Sequence, residues 1–262
     1  MDRKLWFAGF SRHDLPAFEC PRCGRPSLSL DKSTLHTKET GYSNRNKKSE
    51  HWEPEFTDER FSGLLLCTNA HCGEVISMSG HVFVEPAFDA QGGWDYEGML
   101  HPQSMSPAPR IIKFPDKLPA SVVVELDAAF RLYWGDYGAC AMKIRTSVER
   151  LMDHFKVPKL RVAKDQKNPA KRGKLVPVDL AVRIDKFIKA SGKTVHQETL
   201  HALRVVGNVG VHKNEIERSE LLDAFEIYEH ALAELIGRKS AQLAQMAKKL
   251  RQTAGKRKRD IF

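Results

Sequence analysis

Nowhere in these 262 residues is there a run of about 20 apolar residues, the length that a membrane-spanning helix requires. The opening stretch, Met1-Asp2-Arg3-Lys4-Leu5-Trp6-Phe7, lacks the apolar core of a secretion signal, so a cytoplasmic protein without a membrane partner is expected. Cysteine is scarce. Five in a chain this long are too few for a disulfide scaffold, and in a reducing compartment paired cysteines more often hold a metal than each other. No glycine-rich phosphate loop, pair of catalytic carboxylates or Ser-His-Asp arrangement stands out, which removes the commonest nucleotide-hydrolysing and acyl-transfer chemistries. No internal repeat is visible. What remains, with 29% charged and 41% hydrophobic residues, is the composition of a soluble globular protein of one or two domains.

The net charge of +9 is unevenly placed. Residues 156 to 174 carry eight bases against Asp165, and residues 238 to 262 carry nine against Asp260. These segments hold +7 and +8, so the rest of the chain sums to −6. Basicity therefore belongs to a loop and a tail. Flexible basic segments neutralise phosphates without reading sequence, which makes RNA or DNA the expected partner. The bases with the strongest claim are Lys164, Lys167, Lys171, Arg172 and Lys174 in the loop, and Lys256, Arg257, Lys258 and Arg259 in the tail. A solvated charge run that only aids solubility is the alternative.

The chain divides into unlike halves, and an α+β class follows. Up to about residue 110, short apolar runs such as Leu64-Leu65-Leu66 and Val75-Ile76 predict short strands and loops. Asp31 to Arg60 is polar and reads as an excursion from a small scaffold. The prolines Pro102, Pro107, Pro109, Pro115 and Pro119 suggest a linker, with the divide at 111–119. From 120 to 237 the period is helical. Val123, Leu126, Phe130 and Tyr133 share a face of a first helix. Tyr137, Cys140, Ile144, Val148, Leu151 and Phe155 share one of a second, stopped by Pro158. A third ends near Gly192 and a fourth at Gly207. A fifth begins at Ser219 as N-cap and ends before Gly237. Leu243, Met246 and Leu250 extend a last helix into the basic tail, 238–262. An up-and-down bundle is the expected architecture of this half.

Two constellations carry chemistry. The first is Cys20-Pro21-Arg22-Cys23-Gly24 with Cys67-Thr68-Asn69-Ala70-His71-Cys72-Gly73. Paired cysteines at such spacings present thiolates to one tetrahedral Zn²⁺, and the glycine after each second cysteine permits the tight turn of a zinc knuckle. Cys20, Cys23, Cys67 and Cys72 are the expected ligands of a structural zinc in a ribbon-like domain, 1–110, with His71 an alternative to Cys72. Cys140, on an apolar helix face, reads as core.

The second is Arg145-x-x-x-Glu149 in the second helix, with Arg204 and then Gly207-Asn208-x-x-x-His212 after the fourth. Over about residues 118 to 237 this resembles a bacterial family, domain of unknown function 4145, grouped with the HEPN superfamily of helical bundles. The resemblance implies a homodimer, a role in phage defence or a toxin-like system, and in some relatives metal-independent RNA cleavage. There a histidine, here matched by His212, assists proton transfer, and Asn208 matches a polar residue beside an arginine. The arginine position is held by Gly207, so Arg204 or Arg145 would supply the cation, and Arg145 with Glu149 would brace Asn208 or His212. A defence-system partner protein and a non-catalytic scaffold are the alternatives that the same resemblance implies. Arg145 and Glu149 also suit an ordinary ion pair one helical turn apart.

Overall fold

The computed structural model describes residues 3–7, 9–88, 93–163, 173–212, 216–237 and 239–257. The first half is a five-stranded, wholly antiparallel sheet in the order β1-β5-β4-β3-β2. Its strands are β1 (Phe10–Ser11), β2 (Leu28–Glu39), β3 (Asp58–Cys67), β4 (Val75–Phe88) and β5 (Trp94–Ser106). The last four are longer than the short apolar runs suggested, because a strand with one wet face needs an apolar residue only at alternate positions. Phe61, Leu65, Ile76, Met78, Val82 and Leu100 supply that inner face, all of them buried.

The polar stretch from Asp31 to Arg60 is ordered structure rather than an excursion. Its ends belong to β2 and β3, paired from Leu28↔Cys67 to Glu39↔Glu59, with a register shift between Asp31 and His36. A helical turn, α2 (Gly41–Asn46), joins them, its start capped by the Thr40 hydroxyl. As the edge strand, β2 buries little, so it can be polar and still be held by its backbone ladder.

Pro102 is likewise in β5 rather than in a linker. It sits opposite Gly80 at a register shift, beyond the two residues of β5 that β1 covers, so the amide that proline lacks is not missed there. Gly80 is required for space. A Cβ on it would lie 2.1 Å from the His101 carbonyl oxygen.

The second half is helical: α3 (Ala120–Leu132), α4 (Tyr137–His154), α5 (Leu180–Ser191), α6 (Gln197–His212), α7 (Arg218–Leu235) and α8 (Lys239–Arg257). Central α4 packs against α3, α5, α6 and α7. Its apolar face, Cys140, Ile144, Val148 and Leu151, is fully buried, as the spacing predicts. Two boundaries differ from expectation. The start of α7 is a capping box between Glu217 and Glu220, not a Ser219 cap. And α6 runs straight through Gly207-Asn208 to His212.

A third feature was not foreseen. Between α4 and α5 the chain makes a two-stranded hairpin, β6 (Leu160–Val162) and β7 (Leu175–Pro177), closed at its neck by Ala163 and Lys174.

The short helix α1 (Lys4–Phe7) joins the halves. Trp6 is buried against Phe18, Tyr133 and Trp134, with ring centroids 5.3, 6.0 and 5.8 Å away, and its carbonyl accepts the Tyr133 hydroxyl at 2.8 Å. One buried apolar cluster consequently runs from the sheet into the helices. No described helix is long and apolar enough to cross a membrane.

Candidate metal centre and helical seam

The sheet brings the two cysteine pairs together. Cys20 and Cys23 lie in a turn ahead of β2, while Cys67 ends β3 and Cys72 lies in the loop to β4. Because Leu28 pairs with Cys67, the two turns are neighbours at one end of the sheet. Gly24 (φ +66°) and Gly73 (φ +61°) are both left-handed, and no atom lies within 4 Å of where a Cβ would be. Backbone conformation, not crowding, therefore selects glycine at both places.

The four sulfurs lie within 4.8 Å of one another. Cys20 Sγ is 3.8 Å from Cys72 Sγ, and Cys23 Sγ is 3.7 Å from Cys67 Sγ. A tetrahedron with Zn–S bonds of about 2.3 Å has S–S edges of about 3.8 Å, so these two separations suit a metal ion such as zinc. Among the described residues, Cys72 and not His71 completes the group, and His71 is exposed.

Backbone amides serve the sulfurs in a regular way. Cys20 receives bonds from Arg22 and Cys23, Cys23 from Arg25, Cys67 from Asn69 and Cys72 from Glu74. Each sulfur thus has a donor two residues on, and such donors favour thiolate. The Arg25 amide chiefly holds Cys23 down to about 6, and the Ser27 hydroxyl lowers Cys67. Burial pushes Cys20 up to about 12 and also raises Cys72. The surroundings thus favour the thiolate at Cys23 and Cys67, and burial opposes it at Cys20 and Cys72. Four protein thiolates leave no open position, so an ion here braces the fold rather than reacting. Cys140 is separate, fully buried, with its thiol pushed up by burial.

The second constellation forms a seam between α4 and α6. A Cβ added to Gly207 would lie 2.3 Å from Arg145 Cβ and 3.0 Å from the Ala141 carbonyl oxygen. Glycine at 207 lets two backbones approach and does not stop the helix. Arg204, Gly207 and Asn208 are spaced i, i+3, i+4, so they share the face of α6 that meets α4. Arg145 Nη1 donates to Glu149 Oε1 at 2.7 Å, the ion pair that the spacing allowed. The Nε atoms of Arg145 and Arg204 are buried and, among the described residues, have no hydrogen-bond partner. His212 ends α6, and its side chain lies outside the described residues.

Beside the seam is a cleft of about 530 Å³ between α4, α5 and the hairpin. Arg145, Arg150, Lys159 and Arg183 line it, together with Glu149, Asp153 and Asp179. Buried Arg183 is committed to Asp153 Oδ1 at 2.6 Å and the Val157 carbonyl at 3.0 Å. Of the basic residues singled out in the sequence, Lys174 is exposed at the hairpin neck, and Lys256 and Arg257 lie in α8, their side chains not described. Lys164, Lys167, Lys171, Arg172, Lys258 and Arg259 fall outside the described residues.

Residues 8–104 match a family model described as domain of unknown function (DUF8608), and residues 127–253 match domain of unknown function (DUF4145). The second is the family that the Arg145, Glu149, Asn208 and His212 pattern resembles. No curated protein and no solved structure matches the chain.

Proposed function

We propose that this is a zinc-braced nucleic-acid-binding protein. Its binding surface is the β6–β7 hairpin with the basic segment it carries, and the C-terminal helix adds to it. The observation that carries the reading is the hairpin itself. A nine-residue stretch, 164–172, with four bases and one acid falls in the sequence between the two strands of this short ladder. That ladder stands beside the arginine-lined cleft and next to the α4–α6 seam. Arg161 and Lys174 are exposed on either side of the neck. Cations presented in this way neutralise phosphates irrespective of base sequence.

Binding is favoured over cleavage. Phosphoryl chemistry needs a cation aimed at developing charge. Arg145 is engaged by Glu149, Arg204 stands eight positions before His212 and a turn ahead of the place that an arginine takes in cleaving relatives, and that place is filled here by a glycine whose absence of side chain the helix packing requires. The HEPN grouping supports a homodimer paired through these helices, with a role in a defence or toxin-like system.

A second reading rests on α8. Leu243, Met246 and Leu250, spaced as one helical stripe, are 55%, 59% and 70% exposed. An apolar stripe on an otherwise basic helix favours a partner protein, as in an adaptor or scaffold. Titration of labelled single-stranded RNA and DNA at two salt concentrations separates the two. The proposal expects salt-dependent binding that falls at least tenfold, with a shallower salt slope, when Lys164, Lys167, Lys171, Arg172 and Lys174 become Gln. No binding at low salt, or binding indifferent to those changes, overturns it.

A further inference from the structure

A second hollow, of about 260 Å³, lies on the solvent side of the sheet where it meets the helices, and none of the four paired cysteines lines it. Its sheet wall is aromatic. His81 and Phe83 project from the same face of β4, with rings 5.8 Å apart and 8° from parallel. His101, paired with His81 across the ladder, meets the Phe83 ring edge-on at 4.9 Å. Phe83 is therefore braced by two rings and still 45% exposed, a fixed platform facing water. The His81 imidazole is anchored in turn. His81 Nε2 bonds Gln103 Oε1 at 2.9 Å with its Nδ1 3.8 Å from Asp58, and His101 Nε2 is 3.3 Å from Glu85 Oε1.

The helical wall supplies charge. Trp134, Tyr137 and Arg218 close the hollow from the α3–α4 turn and the start of α7. Arg218 Nε donates to the Tyr137 hydroxyl at 2.8 Å, and its Nη1 donates to the Phe7 carbonyl at 3.1 Å. Its guanidinium lies 5.8 and 5.6 Å from the Tyr133 and Tyr137 ring centres. Among the described residues no carboxylate pairs with it. A half-buried arginine held by neutral groups keeps its full charge for an anion.

A rigid aromatic platform opposite an uncompensated arginine suits a flat ring that carries an anion. We infer that the hollow binds one nucleotide, its base stacked on Phe83 and its phosphate on Arg218, either free or as one unit of a single strand. Duplex is excluded as the ligand because its bases are already stacked and paired. The inference does not rest on the basic segments and extends beyond them.

Calorimetry on the full zinc-loaded chain tests it, with adenosine 5′-monophosphate, adenosine, inorganic phosphate and a ten-residue oligoadenylate as probes. Phe83→Ala, at a half-exposed position, and Arg218→Gln are the variants, with circular dichroism confirming that each is folded. Saturable binding of the monophosphate, at least tenfold tighter than adenosine or phosphate and weakened at least tenfold by Phe83→Ala, supports a free nucleotide. The same sensitivity seen only with the oligonucleotide supports a strand. No binding of either probe, or binding unchanged in folded Phe83→Ala, overturns the inference. The glutamine changes in the loop keep the two proposals apart. Strand binding lost with them but indifferent to Phe83→Ala sinks this one alone, and the reverse sinks the other.

Discussion

Gly207 and Arg145 meet where α6 crosses α4, so closely that a single carbon added to Gly207 would stand 2.3 Å from Arg145 Cβ. That contact couples the helical packing to the site resemblance, because the same arginine holds Glu149 and lines the cleft.

Replacing Gly207 by alanine is expected to destabilise the protein. Helix propensity alone favours alanine by about 1 kcal/mol. The obstacle, however, is a side-chain root and a carbonyl rather than a flexible tip, and overpacking of that kind costs about 1–3 kcal/mol. A net loss is expected, read as a lower urea midpoint with the slope unchanged. A midpoint equal to or above that of the parent would show that α4 and α6 separate freely.

Purified without chelator, the chain should carry one zinc, measured by elemental analysis. Cys20→Ser or Cys67→Ser should abolish it and lower the unfolding midpoint, since structural zinc contributes its binding energy to folding. His71→Ala should leave the metal content unchanged, because Cys72 and not His71 joins the sulfur group. Retention of full zinc by Cys72→Ser would reverse that assignment.

Acid should weaken the α3–α4 contact in a defined window. Lys143 Nζ, bonded to Glu125 Oε2 at 2.9 Å, chiefly holds the Glu125 carboxyl below its usual range, with help from Arg150. A carboxylate with a depressed folded pKa contributes stability that is complete above its unfolded value of about 4.3 and is lost as pH falls through the folded value. Glu125→Gln should therefore cost about 1–3 kcal/mol at neutral pH and flatten the stability slope below about pH 4.3. Parallel slopes for parent and variant between pH 5 and 3 would contradict this.

His212→Ala tests cleavage directly. With Arg145 engaged and glycine at 207, the parent should leave single-stranded RNA intact, and the variant should bind RNA as the parent does. Chelator-resistant cleavage by the parent that disappears in a folded His212→Ala protein would establish the nuclease instead.

The cysteine spacing, the two glycines and the helical periodicity were legible in the chain because each is a local requirement. A φ above zero needs glycine, a knuckle needs paired sulfurs, and a buried helix face repeats every three to four residues. The ladder of β2 was hidden because an edge strand is stabilised by backbone bonds that leave no trace in side-chain pattern. Gly207 misled for a related reason. A glycine that ends a helix and one that admits a neighbouring helix look alike until the neighbour is in place. The choice of Cys72 over His71, the burial of Trp6 among Tyr133 and Trp134, and the lining of one hollow by Phe83 and Arg218 depend on residues far apart in the chain. No local propensity encodes which of these will touch, since that is decided by how the sheet and the helices pack into one core.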